Sequence, residues 1–181
     1  MAFFMKHRIL LNLIVSAQSN TALLLAKLSR DSGATMEFCR FYTFDDMTAA
    51  TVVFSGEWAM PPKMQKCLEV LQAQEPVQAV MRSITQVEAE PGQVALMVQV
   101  IAPHTKEVGA DVVEFFDSRG IKVIDMYVER FVAPHSTVPM MSLGLTIVVK
   151  DADFSLSFLR EEFLEYCDEL NVDGVLELEK A

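Results

Sequence analysis

The stretch RILLNLIVSAQSNTALLLAKLSRDSG, residues 8–33, decides the fold. Arg8 to Ser16 is apolar except for Asn12, the pattern of a buried strand. Asn20 is placed to cap a helix that follows, on which Leu23, Leu24, Leu25 and Leu28 form a broad apolar face. Ser32-Gly33 stops that helix, because glycine accepts the left-handed turn that satisfies the last carbonyls. Outward from there, Ala34 to Tyr42 reads as a strand, Asp45-Asp46 as a turn and Ala49 to Ser55 as a second strand. Pro61-Pro62 opens another helix, with Met64, Cys67, Leu68 and Leu71 on one face. After Glu75-Pro76, Val77 to Val87 makes the last strand. The order is β-α-β-β-α-β.

The second half repeats the plan. Gln93 to Ala102 is a strand, and Pro103-His104-Thr105 is a turn. Val108, Val112, Val113, Phe115 and Phe116 form a helix face closed by Gly120. Ile121 to Val132 and Met141 to Lys150 are strands. Phe154, Phe158, Leu159, Phe163, Tyr166 and Leu170 recur at helical spacing, and Val172 to Leu178 closes the sheet. At a constant offset of 87, Ile14 falls on Ile101, Leu25 on Val112, Leu28 on Phe115 and Gly33 on Gly120. The polar stretch Glu88-Ala89-Glu90-Pro91-Gly92 is the natural linker. The expected class is therefore α+β: two ferredoxin-like βαββαβ domains, residues 6–88 and 93–179. Each has an antiparallel sheet with helices on one face. The uncovered face must meet solvent, another sheet or a partner.

Composition narrows the function. The chain has 181 residues, 51% of them hydrophobic, enough for two domains of roughly 80–90 residues each. Net charge is -10, and the densest basic stretch is only Lys6-His7-Arg8. Direct binding to nucleic acid needs clustered cations to displace counterions, so none is expected. The three cysteines, Cys39, Cys67 and Cys167, have no paired or zinc-like spacing and read as buried free thiols in a reducing cytoplasm. Met1 to Arg8 followed by apolar Ile9 to Val15 and Val15-Ser16-Ala17 has the outline of a secretory signal. The apolar run is only seven residues long with Asn12 inside it, which favours a strand. No segment approaches the roughly 20 apolar residues of a membrane helix. Phosphate-binding loops, nucleophile elbows, zinc-protease motifs and dinucleotide fingerprints are all missing, so no catalytic residue, metal or cofactor is expected and the chain reads as a non-enzyme.

Several segments resemble the ACT domain family of small-molecule-binding regulatory modules. They are Ile9 to Ala17 running into a helix that ends at Gly33, Val53-Phe54-Ser55-Gly56-Glu57-Trp58, Val80-Met81-Arg82, Val98-Gln99-Val100, Phe115-Phe116-Asp117 and Cys167-Asp168-Glu169-Leu170-Asn171. Their order and spacing cover roughly residues 6 to 179. They are most similar to the tandem-ACT repressors of glycine cleavage genes, in which Ser-Gly-x-Trp follows the third strand. That resemblance implies a cytoplasmic, amino-acid-responsive regulator that contacts a transcriptional regulator protein instead of reading DNA. It also implies glycine or another amino acid as ligand, and a homodimer. In place of the Asp-Arg-Pro-Gly-like stretch of amino-acid-binding ACT domains, this chain has Ala17-Gln18-Ser19-Asn20-Thr21 and Pro103-His104-Thr105-Lys106.

The candidate ligand residues are therefore Gln18, Ser19, Asn20, Thr21, His104 and Thr105, at the two first turns, with the plainer alternative that Asn20 or Ser19 only caps its helix. Trp58 is expected either to cap the core or to anchor an interface. Glu161 and Glu165, on the acidic outer side of the last helix, are expected either as solvated surface or as charge presented to a basic partner. Methionines at 60 and 140–141 are expected as core fillers.

Overall fold

The computed structural model describes residues 7–85, 91–104, 107–132, 138–150 and 155–178. The chain divides into two compact units, Met1–Glu88 and Ala89–Ala181. Unit 1 holds β1 (His7–Ser16), α1 (Thr21–Ser32), β2 (Thr35–Phe44), β3 (Met47–Gly56), α2 (Met60–Gln74) and β4 (Gln78–Ile84). Unit 2 holds β5 (Gln93–Pro103), α3 (Val108–Asp117), β6 (Lys122–Val132), β7 (Pro139–Lys150), α4 (Leu156–Leu170) and β8 (Asp173–Leu178). Their sheets have the same order, β2-β3-β1-β4 and β6-β7-β5-β8, with every pairing antiparallel. Two ferredoxin-like βαββαβ units, as the sequence predicts, are what the chain forms.

The repeat extends to details. Ile9, Leu11, Leu13 and Val15 are buried in β1, and Leu96, Val98, Val100 and Ala102 are buried in β5 at the same offset. Ile14 and Ile101 both point to the open face, and Leu28 and Phe115 are both 5% exposed. Gly33 and Gly120 both take left-handed backbone, with φ of +72° and +68°. Each outer strand also shifts register at one place, between Met36 and Phe38 and between Val123 and Asp125. One extra residue there bends and twists the strand. Ala17 N–H donates to Asp46 O at 2.8 Å, and His104 N–H donates to Pro139 O at 2.7 Å. The same bond thus ties the first turn to the start of the third strand in each unit.

Each unit has its own core. Leu25, Leu28, Phe54, Met60, Met64 and Leu68 anchor the first. Phe115, Phe116, Ile147, Leu159, Phe163 and Cys167 anchor the second. The buried Met60, Met64 and Met141 fill gaps as expected, while Met140 is half-buried.

Some expectations are corrected. Leu23 is 50% exposed and Phe158 is 62% exposed, so neither joins the helix face that meets the sheet. Helical periodicity admits them, but it does not separate the side of a helix that meets the sheet from its flank. Trp58 does not cap the core, because it is 77% exposed in the turn before α2. Cys39 and Cys67 are only half-buried, and only Cys167 is enclosed. Strand β4 is described as far as Ile84, and α3 runs to Asp117 with Gly120 closing the turn after it, its N–H donating to Asp117 O at 2.9 Å. The edge strands β2 and β6 are exposed over nearly their whole length, so the helices leave them largely uncovered on both faces. Phe154, His135, Lys6, residues 86–90, where the sequence predicts the end of a strand and the linker, and residue 179 lie outside the described residues.

Candidate functional site

The first turn of unit 1 is held by its own backbone. Ser19 N–H donates to Ser16 O at 3.0 Å, and Gln18 N–H donates to Ser16 Oγ at 3.3 Å. Asn20 then caps α1: its Oδ1 accepts from Leu23 N–H at 3.0 Å, and its carbonyl accepts from Leu24 N–H at 3.0 Å. Ser19 Oγ reaches across to the end of α2 and donates to Glu75 Oε2 at 3.2 Å. This bond sets the start of α1 beside the end of α2, so the two helices run antiparallel.

Between them lies a hollow of about 450 Å³. Leu23, Leu24 and Leu28 line it from α1, and Cys67, Val70 and Leu71 line it from α2. Ser19, Asn20 and Glu75 stand at one end, and Lys27, Lys66 and Asp31 stand farther along. Of the four candidates in this turn, Ser19 and Asn20 therefore meet the hollow. Gln18 is exposed outside it, and Thr21 is 5% exposed, turned into the core like Val108 at the equivalent position.

Unit 2 differs. His104 is exposed at the end of β5, and Thr105 lies outside the described residues. Glu107 stands where unit 1 has Asn20, makes no side-chain cap, and holds φ at +86°. Between α3 and α4, side chains meet among the described residues. The Phe115 and Tyr166 rings stack at 5.0 Å, and Tyr166 O–H donates to Asp111 O at 3.3 Å. The Arg119 guanidinium lies 3.6 Å above the Phe115 ring and 3.5 Å from Glu162 Oε2. Position 119 corresponds to Ser32 and position 115 to Leu28, so unit 1 lacks both the ring and the guanidinium that meet in unit 2.

Trp58 belongs to unit 1, whereas Glu161 and Glu165 are exposed on α4 of unit 2. Burial pushes the three thiols above their ordinary range. Asp168 adds to the effect at Cys167, which reaches about 11, and Asp31 adds to it at Cys67. Among the described residues, no group of three His, Cys, Asp or Glu is arranged to hold a metal, and no helix is long and apolar enough to cross a membrane. The hollow and its lysines carried no local sequence signal, because residues on two different helices line it jointly.

No protein-family model and no curated protein matches the chain. Solved structures do. An unknown protein from Galdieria sulphuraria superposes with a TM-score of 0.77 at 16% identity, over 97% of this chain and 99% of that one. A protein provisionally named a glycine cleavage system transcriptional repressor gives a TM-score of 0.66 at 16% identity, over 98% of this chain and 99% of that one. Likeness at this identity is a likeness of fold.

Proposed function

Starting from this tandem ACT-type fold, we propose that the chain is a non-catalytic regulator that represses glycine cleavage genes indirectly, by holding a transcriptional regulator protein. The observation that supports this reading best is the end-to-end likeness of fold to the provisionally named repressor. The net charge of -10 agrees with it, since phosphate backbone repels such a surface while a basic DNA-binding protein is attracted to it. In this reading residues 6–88 and 93–179 are the two regulatory modules. Trp58 supplies the apolar anchor, and Glu161 and Glu165 supply charge.

The test is retention of a purified DNA-binding regulator of glycine cleavage genes on the immobilised full chain, with and without glycine. Retention is expected, weakened by Trp58→Ala and by Glu161→Lys with Glu165→Lys. The chain alone should not retard the operator DNA. If the regulator is never retained in either condition, the repressor reading fails.

One observation favours a second reading, an amino-acid sensor. Ser19 and Asn20 place polar groups at the N-terminus of α1, at the mouth of a hollow. Gln18, His104 and Thr105 would complete the two ligand turns, whereas Thr21, turned into the core, would not reach the ligand. Glycine at about 100 times its dissociation constant should raise stability by roughly 2.7 kcal/mol. An unchanged melting curve with every amino acid removes this reading.

A further inference from the structure

We infer that the furrow between α1 and α2 of unit 1 is a binding site for an apolar monocarboxylate, its chain lying on the leucines and its carboxylate between Lys27 and Lys66. This goes beyond the repressor reading and does not depend on it.

The volume, about 450 Å³, lies within the size range of small-molecule pockets. The floor is hydrocarbon and thiol: Leu24, Leu28, Cys67 and Leu71, with Leu23 and Val70 on the rim. Leu23 and Val70 are 50% and 57% exposed, so the rim is open to an incoming chain. Lys27 and Lys66 face the furrow from opposite helices, and neither has an ion-pair partner among the described residues. Two such cations beside an apolar trough recognise one negative head and an apolar tail.

The acids bordering the furrow set its polarity. Glu75 lies at the end of α2 and already accepts from Ser19. Asp31 lies in the last turn of α1. Glu75 thus marks one end, while Asp31 stands near Cys67 and one turn from Lys27, at the level of the cations. Two lysines with one aspartate beside them leave charge for a single carboxylate, not for a dianion.

The sister unit supplies an internal control. The same scaffold there stacks Phe115 on Tyr166 and lays Arg119 over the Phe115 ring. Lys27 corresponds to Glu114, and aligning the buried Met60, Met64 and Leu68 on Leu159, Phe163 and Cys167 puts Lys66 on Glu165. The fold itself therefore does not require a hollow. Unit 1 has both the opening and the reversed charge.

The experiment is calorimetric titration of the full chain with octanoate, octylamine and 1-octanol. Octanoate should bind at least tenfold more tightly than the other two. Lys27→Gln with Lys66→Gln should weaken octanoate at least tenfold and leave 1-octanol unchanged. Cys67→Phe, which supplies the kind of ring unit 2 has, should abolish binding. Circular dichroism checks its fold, and Val70→Asp at the exposed rim tests the same trough if that variant does not fold. Equal binding of octanoate and octylamine, octanoate affinity unchanged in the variants, or no octanoate binding each overturns the proposal. So does a dimer that the lysine variants dissociate while octanoate fails to bind, because the furrow would then belong to a second copy. Regulator retention is measured separately, so loss of one result leaves the other standing.

Discussion

Gly174 in β8 has no side chain, and the space a methyl group would take is held by the Cys167 thiol and the Phe163 ring. Gly174→Ala should therefore lower stability by about 1–3 kcal/mol in urea unfolding, the usual cost of overpacking a filled core. Cys167→Ala in the same chain should restore part of that loss, and the double-mutant cycle measures how much. The thiol also carries a pH signature. Its folded pKa is pushed up to about 11, mainly by burial and further by Asp168. The unfolded thiol ionises near its ordinary value of about 8.5. The folded state then holds a proton that the unfolded state has lost, so this contribution is present below that value and disappears as pH rises toward 11. Unfolding midpoints measured from pH 8 to 11 should fall in the parent chain, and less steeply in Cys167→Ala.

At the level of elements, the start of α1 depends on one side chain. Asn20→Ala should cost about 1 kcal/mol by urea unfolding, since Leu23 N–H loses its acceptor. Glu107→Ala, at the corresponding place before α3, should cost less, because no side-chain cap is lost there. The cap at Asn20 was legible from sequence because its signal is local: a small polar residue before an apolar run, with Gly33 at the far end. The order of elements along the chain was legible for a similar reason, since the repeat set each half to one plan. Burial at the margins was not. Leu23 and Phe158 fit the helical period as well as Leu24 and Leu159 do, but periodicity does not separate the side that meets the sheet from the flank. For Trp58 the sequence allows either a core cap or an interface anchor, and the turn before α2 leaves it in solvent, which removes the first. The furrow was illegible because it is lined jointly by residues some 40 positions apart, Leu28 and Cys67, on different helices.

Across the whole molecule, the open strands matter more than the cores for what the chain can touch. Phe38, Phe41, Tyr42 and Phe44 on β2, with Ile124, Met126 and Val132 on β6, expose much apolar surface. They add little to the unit that bears them. Phe44→Ser or Val132→Ser should change unfolding free energy by no more than about 0.5 kcal/mol. A larger loss by urea titration would mean that these side chains already have cover.

The hairpin tips, finally, record how the two halves have changed length. Phe44 pairs with Met47 across two residues, while the matching Phe131 pairs with Met140 across eight. Unit 2 thus accommodates six more residues without disturbing the ladder or the bond from the first turn to Pro139. Closure entropy grows slowly with length, about 0.6 kcal/mol per doubling. The peptide link between Asp45 and Asp46 is consequently the place where a fluorophore-bearing or epitope hexapeptide can be spliced in, giving a reporter on the first half that leaves its melting temperature within a few degrees of the parent.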